Sequence, residues 1–374
     1  MILTLWTLLI VLGFLFRNSK KLSIVQMLFM TVLVVNNVNN PDYHMVESSF
    51  NAAQKGMDIF SGNWLLKLVY YIVGLVGNYQ VALLVISLLS FFLIYRTISY
   101  YTANTSYVFS LYMIASFVID ATQIKNFFAM AIWIYFSKFL FNAYKEKRAT
   151  HIVKREELLK YVLGVFLATS VHVSFAVTIV FVLIVFIDMK TTFVLGGILI
   201  LVSYLSPNII GVLEKMAKQL SLLGGIFNIV HEKFIAYSHT ISLGSVTTRL
   251  KLEIIFFVII TFILIYLKRS KYIFKELDYQ ISVDFMYSLN VIVLTFVPLM
   301  YFSTEFYRFQ RNLLLIIYSV LANALVDSFA FKRIQKKGDI VISVVSLTPA
   351  FFYLLVDAII WNYDSVFTKL FWII

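Results

Sequence analysis

Residues 161–187 read YVLGVFLATSVHVSFAVTIVFVLIVFI, a run of 27 positions without an Asp, Glu, Lys or Arg. Such a run decides the fold class, because ~20 apolar residues suffice for a helix to cross a bilayer. It also exceeds one crossing, and helix tilt absorbs only part of the excess. Ser170, His172 and Ser174 stand at its middle, so it is read as two short half-spans meeting near His172.

Working outward, apolar runs bounded by charged or Pro/Asn-rich breaks predict spans at 1–16, 22–35, 79–95, 106–119 and 127–143. Further spans are expected at 193–206, 252–267, 283–303, 313–331 and 340–360. Several are shorter than the ~20 residues of a full crossing, and flanking Tyr, Asn and Lys complete them. Residues 64–78 are expected to be peripheral or re-entrant. The sum is an all-α polytopic membrane protein of about 12 transmembrane helices (range about 10–13) with short and re-entrant segments. It forms a single integral membrane domain over residues 1–374, with longer outer loops at about 36–63 and 207–251. No basic stretch precedes the run 1–16, so it is read as a retained span rather than a cleaved signal.

Composition agrees. Of 374 residues, 61% are hydrophobic and 13% charged, whereas a soluble domain carries roughly 25% charged residues. Bilayer lipid takes the place of the missing polar shell. The net charge of +12 sits in short clusters between apolar runs, the pattern of cytoplasmic membrane loops rather than of a nucleic-acid-binding domain. No cysteine is present, which excludes disulfides and thiolate chemistry.

The clusters Arg17/Lys20/Lys21, Lys145/Lys147/Arg148, Lys154/Arg155/Lys160, Lys268/Arg269/Lys271 and Lys332/Arg333/Lys336/Lys337 are all expected on the cytoplasmic side. Strict alternation of the spans allows this only with the break at His172. The unusual polar residues Asp42, Asp120, Lys125, His172, Arg308 and Arg311 then fall at the outer ends of spans. Charges at a membrane boundary are costly and tend to face a shared cavity. A cavity made positive by Lys125, Arg308 and Arg311 suits an anion such as phosphate, which the arginine fork binds through two parallel hydrogen bonds.

Each residue also has a plainer reading. Arg308 and Arg311 could anchor a helix end at lipid headgroups. Asp120 and Lys125 could form a structural ion pair, and Asp42 after Pro41 could be a turn residue. A buried His172 needs a hydrogen-bond partner, which Ser170 or Ser174 could supply. There is no Walker A loop and no dinucleotide fingerprint. Paired metal-ligand spacings are lacking too, so neither a metal nor a cofactor is expected.

Three elements in order carry a family likeness: Asn40-Pro41-Asp42-Tyr43; Asp120-Ala121-Thr122-Gln123-Ile124-Lys125-Asn126 with the following Phe127-Phe128-Ala129-Met130-Ala131; and His172-Val173-Ser174. With the later Tyr307-Arg308-Phe309-Gln310-Arg311, they resemble the EpsG-like branch of Wzy-type bacterial polysaccharide polymerases over essentially the whole chain. Lys125 stands where the family typically has Arg, and Asp58 matches only loosely the acidic residue expected before residues 64–78.

The resemblance implies a GT-C-like glycosyltransferase of the bacterial cytoplasmic membrane, with its active site facing outward. It would join oligosaccharide repeat units carried on undecaprenyl pyrophosphate into O-antigen, capsule or exopolysaccharide. A chain-length regulator protein is a further partner that such a polymerase can take. Lys125, Arg308 and Arg311 would hold the departing pyrophosphate, and His172 or Asp42 would take the acceptor proton. Asp120, Gln123, Asn126, Ser174 and Tyr43 would support them.

Other readings stay open at this point. An O-antigen ligase or other lipid-linked glycosyltransferase would keep the pyrophosphate-binding cations. A membrane acyltransferase would want a central histidine. A lipid-linked oligosaccharide flippase or transporter would place its polar residues near mid-membrane.

Overall fold

The computed structural model describes residues 1–192 apart from 58, 61 and 189, then 194–198 and short stretches between 215 and 265. It further describes residues 277–296, 308–323, 325 and 337–371. Most of the expected loop 207–251 and of the expected span 193–206, and part of the expected span 252–267, lie outside the described residues, as do Asp58 and Tyr307. The described part is helical, with no strand. The chain divides into two compact units: Met1–Val182, Tyr272–Ser282 and Leu314–Ile374 in the first, Leu183–Lys271 and Val283–Leu313 in the second.

The first unit begins with α1 (Ile2–Leu15) and α2 (Lys20–Asn36), which pack with α6 (Thr105–Ala115). Polar side chains join them inside an apolar bundle. Gln26 Nε2 donates to Ser110 Oγ at 3.0 Å and to the Leu9 and Ser106 carbonyls at 3.2 and 3.3 Å, while Ser23 and Thr105 share a hydrogen bond of 2.7 Å. Gly13 permits the close approach: a Cβ there would collide with Ser110 Oγ, Gln26 Nε2 and the Ser106 carbonyl. Small residues that admit a neighbouring backbone, with interhelical hydrogen bonds, are how helices associate in lipid.

The expected outer loop 36–63 contains a helix, α3 (Tyr43–Gln54). Tyr43, Val46, Phe50 and Ala53 form its buried stripe at helical spacing. The expected peripheral segment is α4 (Trp64–Gly74), held to α3 by Gln54 Nε2 donating to the Gly74 carbonyl at 2.8 Å. Then comes α5 (Tyr79–Tyr101), capped by the Asn78 side chain accepting from Val81 N–H. The expected span 106–119 is interrupted at Ser116, which separates α6 from the single turn α7 (Phe117–Asp120).

α8 (Ile124–Thr150) and α9 (Arg155–Val171) form an antiparallel hairpin. Gly164 of α9 lies so close to Phe136 of α8 that any Cβ would strike its ring. α9 ends at His172, whose backbone is extended (φ −148°, ψ 115°), and a 3-10 helix follows over Val173–Val185. The Tyr161 hydroxyl donates to the Thr178 carbonyl at 2.7 Å. In one continuous helix these residues would stand about 25 Å apart, so the chain folds back at His172. The break expected near His172 is thus present.

Three helices of the described residues are long and apolar enough to cross a membrane: Tyr79–Tyr101, Ile124–Thr150 and Ser343–Ile360. Shorter apolar helices accompany them, including Ile2–Leu15, Trp64–Gly74 and Thr105–Ala115. Later come α10 (Leu277–Leu294), α11 (Arg308–Asn323), α12 (Lys337–Tyr353) with Pro349 inside it, and α13 (Thr368–Phe371). In the first unit Asn104 Nδ2 donates to the Ala322 and Leu325 carbonyls at 2.8 and 3.2 Å, α12 packs on α6, and Phe371 lies 5.0 Å from Trp6. In the second unit Asn290 Nδ2 donates to Thr261 Oγ1 at 2.7 Å, and the Phe296 and Phe309 rings lie 5.6 Å apart.

Candidate active site

The first motif forms the turn between α2 and α3. Asn40 Oδ1 accepts from Asp42 N–H at 3.0 Å and Asn40 Nδ2 donates to the Asn37 carbonyl at 2.5 Å, which fixes the backbone that carries Asp42. Asn37 Nδ2 reaches the Ala121 carbonyl at 3.3 Å. That bond ties the first motif to the second across 84 positions of sequence. Asp42, Tyr43, Asn40, Tyr79, Ala121 and Thr122 accordingly line one narrow cleft of about 10 Å³, the volume of a single water.

Beneath the cleft, Tyr43 meets Tyr79 edge to face at 5.1 Å, and Tyr79 meets Phe50 at 5.7 Å. Burial first, and then the Glu47 carboxylate, push the Tyr43 phenol above its ordinary value, so it stays protonated at neutral pH. Tyr43 therefore offers a hydroxyl and not a base.

Lys125 sits in the first turn of α8, half-buried, and makes no ion pair within 4.0 Å among the described residues. The charges acting on it are the Asp42 carboxylate, which attracts, and the Lys67 ammonium, which repels. Lys67 is absent from the sequence-based site. Its signal was a lone cation within the apolar helix α4. The Glu47 carboxylate also acts on Tyr43 and Tyr79 of the same cleft, so the site gathers cations and carboxylates together.

Asp120 is wholly buried, and its carboxylate accepts from the Tyr112 hydroxyl at 3.0 Å. Gln123 caps the start of α8 and donates its backbone N–H to the Asp120 carbonyl at 3.1 Å. Asn126 is 3% exposed, and among the described residues its Nδ2 has no hydrogen-bond partner, as is true of Asn37 Oδ1. An unsatisfied buried polar atom costs about 1–3 kcal/mol. A polar ligand or water reaching these atoms would recover that cost.

The third motif lies at the reversal after α9. Ser174 Oγ is 2.6 Å from His172 Nδ1, and Ser174 N–H donates to the same nitrogen at 3.3 Å. Ser170 turns away, donating to the Phe166 carbonyl at 2.7 Å. Because Nδ1 accepts, the neutral ring carries its proton on Nε2. A base role for His172 therefore runs through the Ser174 hydroxyl, which can pass a proton to Nδ1. The Gly164–Phe136 contact sets the register of the α8–α9 hairpin and puts Val171 level with Ala129. His172 thus stands within about one helical turn of Lys125 along the helix axis.

Arg308 and Arg311 lie in the first turn of α11 and, with Gln310 and Asn312, belong to the second unit. Arg311, Gln310 and Asn312 are fully buried. An arginine anchored at headgroups would be exposed, so the headgroup-anchor reading does not describe Arg311. Among the described residues the side-chain amides of Gln310 and Asn312 have no hydrogen-bond partner. Among the described residues no cluster of three or more His, Asp or Glu could hold a metal ion.

An apolar chain, helical throughout its described residues, with helices long enough to cross a bilayer, defines an α-helical membrane protein. A model of the EpsG family matches residues 20–366, nearly the whole chain. The chain belongs to this EpsG-like polysaccharide polymerase family. Curated proteins and solved structures give no match.

Proposed function

We propose that the chain is a GT-C-like polymerase joining undecaprenyl-pyrophosphate-linked oligosaccharide repeat units on the outer face of the bacterial cytoplasmic membrane. The observation that carries this reading is the convergence of Asp42 and Lys125, from motifs far apart in sequence, at the level where His172 and Ser174 stand.

The step is a glycosyl transfer. The bond from the anomeric carbon of the growing chain to its lipid pyrophosphate breaks, and a bond to a hydroxyl oxygen of the incoming unit forms. The hydroxyl proton passes to the Asp42 carboxylate or, by way of Ser174 Oγ, to His172 Nδ1. The lipid pyrophosphate leaves as an anion. Lys125 is the group that would stabilise it, since donors aimed at developing charge are typically the largest single contribution to such catalysis, and the family resemblance alone adds Arg308 and Arg311 as candidates for that role. Pyrophosphate is already a good leaving group, so no metal or cofactor is required of the chain.

Two helices support the outward placement. The basic α8–α9 loop lies at the other end of α8 from Lys125, about 40 Å away for 27 residues at 1.5 Å each. Arg17, Lys20 and Lys21 likewise lie at the other end of α2 from the turn that carries Asp42. With basic loops inside, both helices put the site outside. The genetic test is deletion: a surface glycan of single repeat units is expected. Loss of all surface glycan, with repeat units held at the inner leaflet, would instead indicate a flippase.

A further inference from the structure

Next to the Asp42 cleft lies a second, larger cavity. It has a volume of about 540 Å³ and is open to the outside of the first unit. Its walls are the motif turn on one side (Asn39, Asn40, Pro41, His44) and α13 on the other (Thr368, Lys369). Asn40 lines both this cavity and the Asp42 cleft, so the two spaces share one wall. The cleft holds about one water, whereas the larger cavity falls within the ~300–1,000 Å³ of small-molecule sites.

The lining has the chemistry of a glycan site rather than of a lipid site. The Asn40 amide is held by Asn37 and Asp42 and His44 Nδ1 stands 3.5 Å from Glu47 Oε2, which leaves the Asn39 amide, His44 Nε2 and the Thr368 hydroxyl oxygen as donors and acceptors for vicinal hydroxyls. Lys369 is exposed and makes no ion pair among the described residues. The Thr368 hydroxyl is turned to the Asp364 carbonyl at 3.0 Å and has acceptor capacity left. Val38 and Pro41 are the apolar members of the lining, whereas the groove of about 450 Å³ between α1 and α2 is walled by Leu, Val, Ile and Phe with Asn36 as its one polar residue and suits an acyl chain.

We infer that this cavity is the acceptor subsite. It would hold the sugars of the incoming repeat unit so that one hydroxyl projects past Asn40 to the Asp42 carboxylate. The inference rests on the polymerase reading and deepens it by assigning acceptor recognition to His44, Asn39 and Lys369. A cation at the far wall further favours repeat units that carry an acidic substituent.

The test uses the full-length protein in detergent and in proteoliposomes, with exposed residues whose replacement spares the core. The lipid-free repeat-unit oligosaccharide cut from the host's own surface glycan should bind the native protein. His44→Ala with Lys369→Ala should weaken that binding about tenfold, the effect of ~1.4 kcal/mol. Inorganic pyrophosphate should bind both proteins alike. In turnover, KM for the lipid-linked unit should rise with kcat nearly unchanged. Unaltered oligosaccharide binding in the double variant would overturn the inference, and loss of pyrophosphate binding would reassign the cavity to the leaving group. Native protein that binds the oligosaccharide but never extends it would overturn the polymerase reading while leaving the subsite standing.

Discussion

Ser174 Oγ stands 2.6 Å from Nδ1 of His172 at the point where α9 ends and the chain turns back. The pair is a proton acceptor reached through a hydroxyl, and it lies at the same level of the bundle as Lys125. If it relays the acceptor proton, His172→Ala and Ser174→Ala should each lower kcat by roughly 10²–10⁴, the span of general-base catalysis. The double variant should be little worse than either, because residues acting as one unit are non-additive. Near-normal turnover of purified His172→Ala and Ser174→Ala would reduce the pair to a structural clip.

Asp42 and Lys125 make a different prediction, because one repels the anion that the other attracts. Asp42→Asn should depress turnover while leaving inorganic pyrophosphate binding unchanged or tighter. Lys125→Ala should do the reverse and weaken pyrophosphate binding, with a loss in kcat of about 10²–10³ for a donor to developing negative charge. Lys125→Arg should retain most activity. Weaker pyrophosphate binding in Asp42→Asn would mean that the carboxylate holds the fold of the turn instead.

Lys67 shares the field of Lys125. Replacing it with Ala should weaken pyrophosphate binding severalfold and reduce its dependence on salt, as for any charge acting at a distance. An unchanged salt dependence would remove Lys67 from the site.

For the arginines, Arg308→Ala and Arg311→Ala should abolish long glycan chains while the protein remains in the membrane. Arg311 is fully buried, and truncating a large buried side chain typically destabilises by about 2–5 kcal/mol. The control is Arg311→Lys, which keeps the charge and loses the fork. Normal chain lengths in both alanine variants would remove them from pyrophosphate binding.

Gly13 tests the packing. Gly13→Val would drive a side chain into Ser110 and Gln26, and overpacking of this kind costs about 1–3 kcal/mol. The melting temperature in detergent should fall. An unchanged melting temperature would mean that α1 and α6 do not pack as described.

Much of this arrangement is legible in the sequence, for identifiable reasons. The 161–187 run is too long for one crossing, and its polar centre marks the reversal at His172. α3 was legible in principle, since Tyr43, Val46, Phe50 and Ala53 repeat at helical spacing. The polar residues between them made the segment read as a loop. The break at Ser116 left no such mark, because the residues around it are apolar and fully buried on both sides. Burial of Arg311 could not be read either, since a first-turn arginine looks the same in sequence whether it faces lipid headgroups or protein. The Asn37–Ala121 bond, which assembles the cleft, is tertiary and has no local signature.

The most direct measurement of the central claim is reconstitution. Purified protein in proteoliposomes, supplied only with the undecaprenyl-pyrophosphate-linked repeat unit, should yield a ladder of glycans longer than one unit, and Asp42→Asn should not. Recovery of single repeat units alone from the active native protein, or translocation of the lipid-linked unit without extension, would contradict the account.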